Sequence, residues 1–181
     1  MTISIAVSAR RLFSLPADLP TTGAHFRDVR RMLRCLPDLR VVKKHAQGQY
    51  RIRYSAAEGG VYRVDLYSDI EARFDDATGV LDVTPLQGIP PVASRATLGS
   101  LTGQGDYASR LTLRAAGAET KATYEVRISA ALAKPVGLKL IPDAAVGRFV
   151  EMVVRRRIEE ITDAFIARAI DDLRPQRRGS A

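Results

Sequence analysis

VYRVDLYSDIEARF, residues 61–74, alternates from end to end. Its even positions are Tyr62, Val64, Leu66, Ser68, Ile70, Ala72 and Phe74, and its odd ones include Arg63, Asp65, Asp69, Glu71 and Arg73. Successive side chains of a strand point to opposite faces, so this period of two predicts a long strand with its even face inside. Asp65, Asp69 and Glu71 share the outer face with Arg63 and Arg73, which predicts solvated, weak ion pairs rather than a carboxylate site. Ser68 points inward, but no Gly-x-Ser-x-Gly elbow surrounds it and no histidine is near in sequence, so no triad is assigned.

Towards the N-terminus, Tyr50, Ile52 and Tyr54 alternate with Arg51 and Arg53, and Glu58-Gly59-Gly60 supplies the turn between the two strands. Further upstream, Phe26, Val29, Leu33 and Leu36 recur at helical spacing, from Thr22 as N-cap to Pro37 as terminator. The chain opens with a strand over 2–9, where Ile3, Ile5 and Val7 share a face, followed by a connector through Leu15, Pro16 and Pro20.

Towards the C-terminus, residues 75–79 form a turn, 80–84 a strand and 85–91 a loop. A short strand over 96–101 precedes a break at Gly103-Gln104-Gly105. Residues 107–115 and 121–132 read as a hairpin across Ala116-Gly117-Ala118-Glu119. Leu111, Leu113, Tyr124, Val126, Ile128 and Ala130 then face one interior, with Arg110, Arg114, Glu125 and Arg127 in solvent. Pro142 and Asp143 suit the first turn of a last helix. Val146, Phe149, Val150, Val153, Ile158, Ile161, Phe165, Ala169 and Leu173 mark its apolar stripe. About 30 helical residues span roughly 45 Å, enough to cross a whole sheet.

The 181 residues suit a single domain, residues 1–173, followed by a polar tail, residues 174–181. A hydrophobic share of 46% with 27% charged residues is that of a chain that folds. Cys35 is the one cysteine, which excludes an intramolecular disulfide or a thiolate metal cluster and favours a reducing compartment. The first residues lack the order of a secretory signal, and no segment approaches the roughly 20 apolar residues of a membrane span. The expected location is therefore the cytoplasm. A net charge of +8 attracts polyanions without defining a function.

Five of the six tyrosines, Tyr50, Tyr54, Tyr62, Tyr107 and Tyr124, fall on the helix-facing side of the sheet. A phenol joins a large apolar body to a hydroxyl, so this set suits either a packed core or the lining of a cavity. His25, at the start of the first helix, and His45, in a turn, have no carboxylate or cysteine at metal-ligand spacing. Cys35, beside the helical stripe, reads as a buried inert thiol. No metal, cofactor or catalytic residue is expected. Arg27, Arg30, Arg31 and Arg34 share one side of the first helix, and Arg40, Lys43 and Lys44 extend that positive surface. Arg155, Arg156 and Arg157 can be neutralised by Glu159 and Glu160.

The order strand, helix, meander and long terminal helix, with Leu36-Pro37-Asp38-Leu39 and Leu140-Ile141-Pro142 at its joints, resembles the helix-grip fold of the START-like, or SRPBCC, superfamily. The likeness is greatest to bacterial and plastid members of unknown function. It implies an α+β architecture: a curved antiparallel sheet wrapped around the C-terminal helix, with a short helix after the first strand. It also implies an enclosed space of the kind that holds lipids, polyketides or other apolar molecules. The expected function is non-enzymatic binding of a hydrophobic or amphipathic small molecule, with Tyr50, Tyr54, Tyr62, Tyr124, Phe149 and Val153 as the wall. The alternative is an interaction module that meets nucleic acid or an anionic membrane through Arg27, Arg30, Arg31, Arg34, Lys43 and Lys44. An enzyme of cyclase or hydrolase type is a third reading.

Overall fold

A computed structural model describes residues 2–58, 62–134 and 141–174. The expected turn at Gly59-Gly60, the Leu140 joint and the tail past Arg174 lie outside them, as does the side chain of Asp143. Strand β1 (Thr2–Leu15) is followed by helices α1 (Leu19–Arg27) and α2 (Val29–Cys35). Strands β2 (Leu39–Ala46), β3 (Gln49–Glu58), β4 (Tyr62–Asp75), β5 (Val80–Pro85), β6 (Arg95–Ala96), β7 (Ser100–Ala116) and β8 (Glu119–Ala133) come next. Helix α3 (Asp143–Leu173) closes the chain.

The strands form one open sheet in the order β1-β8-β7-β5-β4-β3-β2, with β6 beside β7. Neighbours on this path run antiparallel. Beyond the short β5, β4 and β7 close directly in parallel, from Arg63↔Ser100 to Tyr67↔Gln104. The even face of β4 turns inward as its alternation predicts, with Ile70 and Ala72 buried.

Several boundaries differ from the sequence reading, among them the strand read over 96–101, which is β6 and the start of β7, and three of them have an identifiable physical reason. Strand β1 runs past Ala9 to Leu15 and pairs with β8 down to Leu15↔Thr120. The alternation is interrupted by Arg11, which takes a place on the inner register and donates from Nε to the Asp163 carboxylate of α3 at 2.9 Å. The first helix is two. Asp28 leaves helical geometry at φ −78°, ψ 88°, and its carboxylate caps α2 by accepting from Arg31 N–H at 3.1 Å. Asp18, not Thr22, caps α1, accepting from Thr21 N–H at 2.9 Å, while Thr22 is buried. Gly103-Gln104-Gly105 is not a break but part of β7, because β8 passes too close for side chains there. A Cβ on Gly105 would lie 2.5 Å from the Ser129 carbonyl oxygen, and one on Gly103 2.7 Å from Leu132 Cδ2.

Helix α3 packs most closely along β1, on the inner face of the sheet. Its direction follows from its two ends: Lys134, just past β8, donates to the Ile141 carbonyl, while Asp163 meets Arg11 and Phe165 meets Tyr124. Phe165 is fully buried, its ring centroid 4.6 Å from that of Tyr124 and 6.3 Å from that of Phe26. This aromatic contact fastens the second half of α3 to the sheet and to α1.

Candidate functional site on the concave face

The inner face is fully buried and closed at one end, whereas Tyr54, Tyr62, Leu66, Ser68 and Ala130 towards the other are only partly buried. At the closed end Tyr107 and Tyr124 are buried, with their hydroxyls 2.8 Å apart. Burial raises both phenols, Tyr124 well above 10, so both stay neutral and occupy each other as partners. At the other end the register brings small residues together. Ile52 lies opposite Ser68, Leu66 beside Gly103, and Gly105 opposite Ala130. Ser68 Oγ donates to the Gly105 carbonyl at 2.7 Å, which removes it as a free nucleophile. The centre of this floor is thus made of Ser68, Gly103, Gly105 and Ala130, and larger side chains stand around it.

Helix α3 starts beside Lys134, packs along β1, and reaches Tyr124 through Phe165 in its second half. Val146 is buried, and Val150 and Val154 pack on the core while remaining partly open. Of the expected wall, Tyr50 and Tyr124 are buried, whereas Tyr54, Tyr62 and Val153 are half-buried. Phe149 is 57% exposed on the flank of the helix. Tyr62 also donates its hydroxyl to the Ser100 carbonyl at 3.1 Å, which ties β4 to the start of β7.

A comparison with protein-family models and with curated protein sequences finds no match. Solved structures do match. The Zhui aromatase/cyclase from Streptomyces aligns at TM-score 0.55 and 16% identity, over 97% of this chain and 99% of that one. A Thermus thermophilus protein aligns at TM-score 0.53 and 15% identity, over 92% and 99%. The di-domain aromatase/cyclase StfQ of the steffimycin pathway aligns at 0.54 and 8%, over 93% of this chain and 51% of that one. The fold is the helix grip.

On the convex side of this helix grip, Asp69 corrects the expectation of a solvated carboxylate. It occupies the outer register but is only 3% exposed. The segment 86–94 lies over it: Leu86 N–H donates to the Asp69 carbonyl at 2.8 Å, and Arg51 Nη2 donates to the Pro90 carbonyl at 2.8 Å. Arg51 also donates from Nε and Nη2 to the two carboxylate oxygens, both at 2.8 Å, and Gln104 Nε2 donates at 3.1 Å. His45 Nε2 lies 2.8 Å from Oδ1; this histidine belongs to β2 rather than to a turn. Burial penalises the charged carboxylate, and the hydrogen bonds from Arg51 and His45 outweigh that penalty, holding its pKa below 3.8. Asp65 and Glu71 pair with Arg63 and Arg73 at 2.8 Å, as the shared face predicts, but Asp65 is not the solvated carboxylate expected, its side chain being only 15% exposed.

The basic residues divide. Arg27 is held by Asp76, over the Phe74 ring, and Arg31 lies 3.7 Å from Asp172. Arg30, Arg34 and Arg40, with Leu33, Leu39 and Val41, line a surface groove of about 400 Å³ between α2 and β2. Lys43 and Lys44 stand exposed on β2, an edge strand.

Sequence reading finds no metal-ligating set, and the fold brings together three residues of metal-ligating type that are remote in sequence. His25 sits in the last turn of α1 and is 5% exposed, not on the surface; Cys35 ends α2, buried as expected; Asp172 lies in the last turn of α3. One ligand atom from each lies within 4.8 Å of the other two. The partner is 137 residues from Cys35 in sequence, so no local spacing signals it.

Proposed function

We propose that this helix grip holds an apolar or amphipathic small molecule between the floor of Ser68, Gly103, Gly105 and Ala130 and the first half of α3. What supports this reading is the register that brings Ser68, Gly103, Gly105 and Ala130 together on the inner face, with Val150 and Val154 of α3 packed on the core but partly open. Tyr54, Tyr62 and Leu66, half-buried at the same end, supply apolar walls. Affinity would come from apolar area removed from water, at about 25 cal/mol per Å². The aromatase/cyclases of the same fold are consistent with a bound organic molecule.

Binding without catalysis is supported by the fate of the inward polar groups. Arg11 is engaged by Asp163, Ser68 by the Gly105 carbonyl, and the Tyr107 and Tyr124 hydroxyls by each other. Asp65, Asp69, Glu71 and Glu125 take the outer register. Native mass spectrometry of protein incubated with a lipid extract tests the proposal. A one-to-one apolar adduct is expected, and Ala130→Leu, which raises the floor, should abolish it while circular dichroism stays unchanged. A protein that remains bare, or an adduct indifferent to Ala130→Leu, contradicts it.

The groove of Arg30, Arg34 and Arg40, flanked by Lys43 and Lys44, favours a second reading as a polyanion-binding surface. Its mark is an affinity for an anionic polymer that falls steeply with salt, whereas apolar binding in the concave face is nearly salt-independent.

A further inference from the structure

We infer that His25, Cys35 and Asp172 form a divalent-metal site suited to zinc, joining the ends of the three helices. The inference is independent of the small-molecule site. Nitrogen, thiolate sulfur and carboxylate oxygen are the donors zinc accepts, whereas magnesium and calcium prefer oxygen alone. Metal–ligand bonds of about 2.0–2.3 Å in a tetrahedron set ligand atoms about 3.3–3.8 Å apart, so atoms now within 4.8 Å need to move inward by about 1 Å.

A second observation points to a ligand. His25 is 95% buried in this cluster, and its Nε2 has no hydrogen-bond partner among the described residues. Buried polar atoms of that kind call for an explanation, and a metal ion supplies one. Burial lowers the imidazole pKa, which keeps the ring in the neutral form that ligates. The same burial raises the Cys35 thiol, so binding has to release that proton to solvent as the Sγ–metal bond forms.

The competing contacts are weak. Cys35 Sγ lies 3.5 Å from the Arg31 carbonyl and 4.0 Å from Asp172 Oδ2, and the Arg31–Asp172 pair is 3.7 Å long with both side chains nearly half exposed. Thiolate and carboxylate together neutralise a divalent ion. Three protein ligands leave a fourth position, and a groove of about 360 Å³, lined by Cys35, Asp172, Arg31, Arg34 and Arg168, gives water access to it.

The test uses the full chain, stripped with a chelator and dialysed, with Co²⁺ as a spectroscopic probe and Zn²⁺ for stoichiometry by elemental analysis. One equivalent of Zn²⁺ should be retained and should raise the melting temperature, and Co²⁺ should produce a thiolate-to-cobalt charge-transfer band. Cys35→Ser should remove that band. Asp172→Asn alters a half-exposed side chain; it should weaken Zn²⁺ binding at least tenfold and leave the metal-free melting temperature unchanged. A wild-type protein without the band, a band that survives Cys35→Ser, or Zn²⁺ affinity unmoved by Asp172→Asn would overturn the assignment.

Discussion

Asp69 shows what a single residue does when a face read as solvent-exposed is covered. Its place on the outer face was legible from the alternation of residues 61–74, and its pairing with Arg51 follows from the β3–β4 register. What the alternation could not reveal is the segment 86–94 that removes water from it, since that segment has no periodicity of its own. The carboxylate has a pKa below its unfolded value of 3.8, so the unfolded state binds more protons below that pH. Its contribution is complete above the unfolded pKa and is lost as pH falls through the folded one. Asp69→Ala, which leaves Arg51 and His45 facing a void, should cost about 3 kcal/mol near pH 7. In urea denaturation series the gap between wild type and variant should narrow progressively below pH 3.8. At the opposite face, Phe165→Ala removes the ring stacked on Tyr124 and should cost about 3–5 kcal/mol in the same assay.

Elements were legible where one period governed them and illegible where a polar residue or a close approach overrode it. The stripe Phe26, Val29, Leu33, Leu36 continues across Asp28, so the sequence reads one helix although the chain makes two. Asp28→Ala should destabilise the protein by about 1 kcal/mol through loss of the α2 cap, measured by thermal or chemical denaturation. Strand β1 looked shorter than it is because Arg11 interrupts the apolar set, and only α3, distant in sequence, accounts for that arginine. In β7 the two glycines read as punctuation but are required by packing. Gly105→Ala meets the Ser129 carbonyl, part of the backbone, whereas Gly103→Ala meets the movable end of Leu132. The first should therefore cost more, about 1–3 kcal/mol, and the second less, with β7 amide exchange increasing near the substitution.

For the whole molecule, the helix-grip fold was legible from element order alone, because a long antiparallel meander and a 31-residue terminal helix have few ways to bury each other. The lining of the concave face was legible in part. Alternation identified the inward tyrosines but not which of them are consumed by packing, nor that α3 turns Val150 and Val154 rather than Phe149 onto the core. The His25, Cys35 and Asp172 cluster was not legible, since it exists only where three helix ends meet. No helix among the described residues is long and apolar enough to cross a membrane.

The central claim is that a small molecule binds between the partly buried end of the concave face and the first half of α3. A methyl-resolved NMR titration with a medium-chain fatty acid as probe tests it most directly. The account predicts saturable shifts in Leu66, Ala130, Val150 and Val154 that are insensitive to salt. Shifts confined to Leu33, Leu39 and Val41, or none at saturating probe, would contradict it.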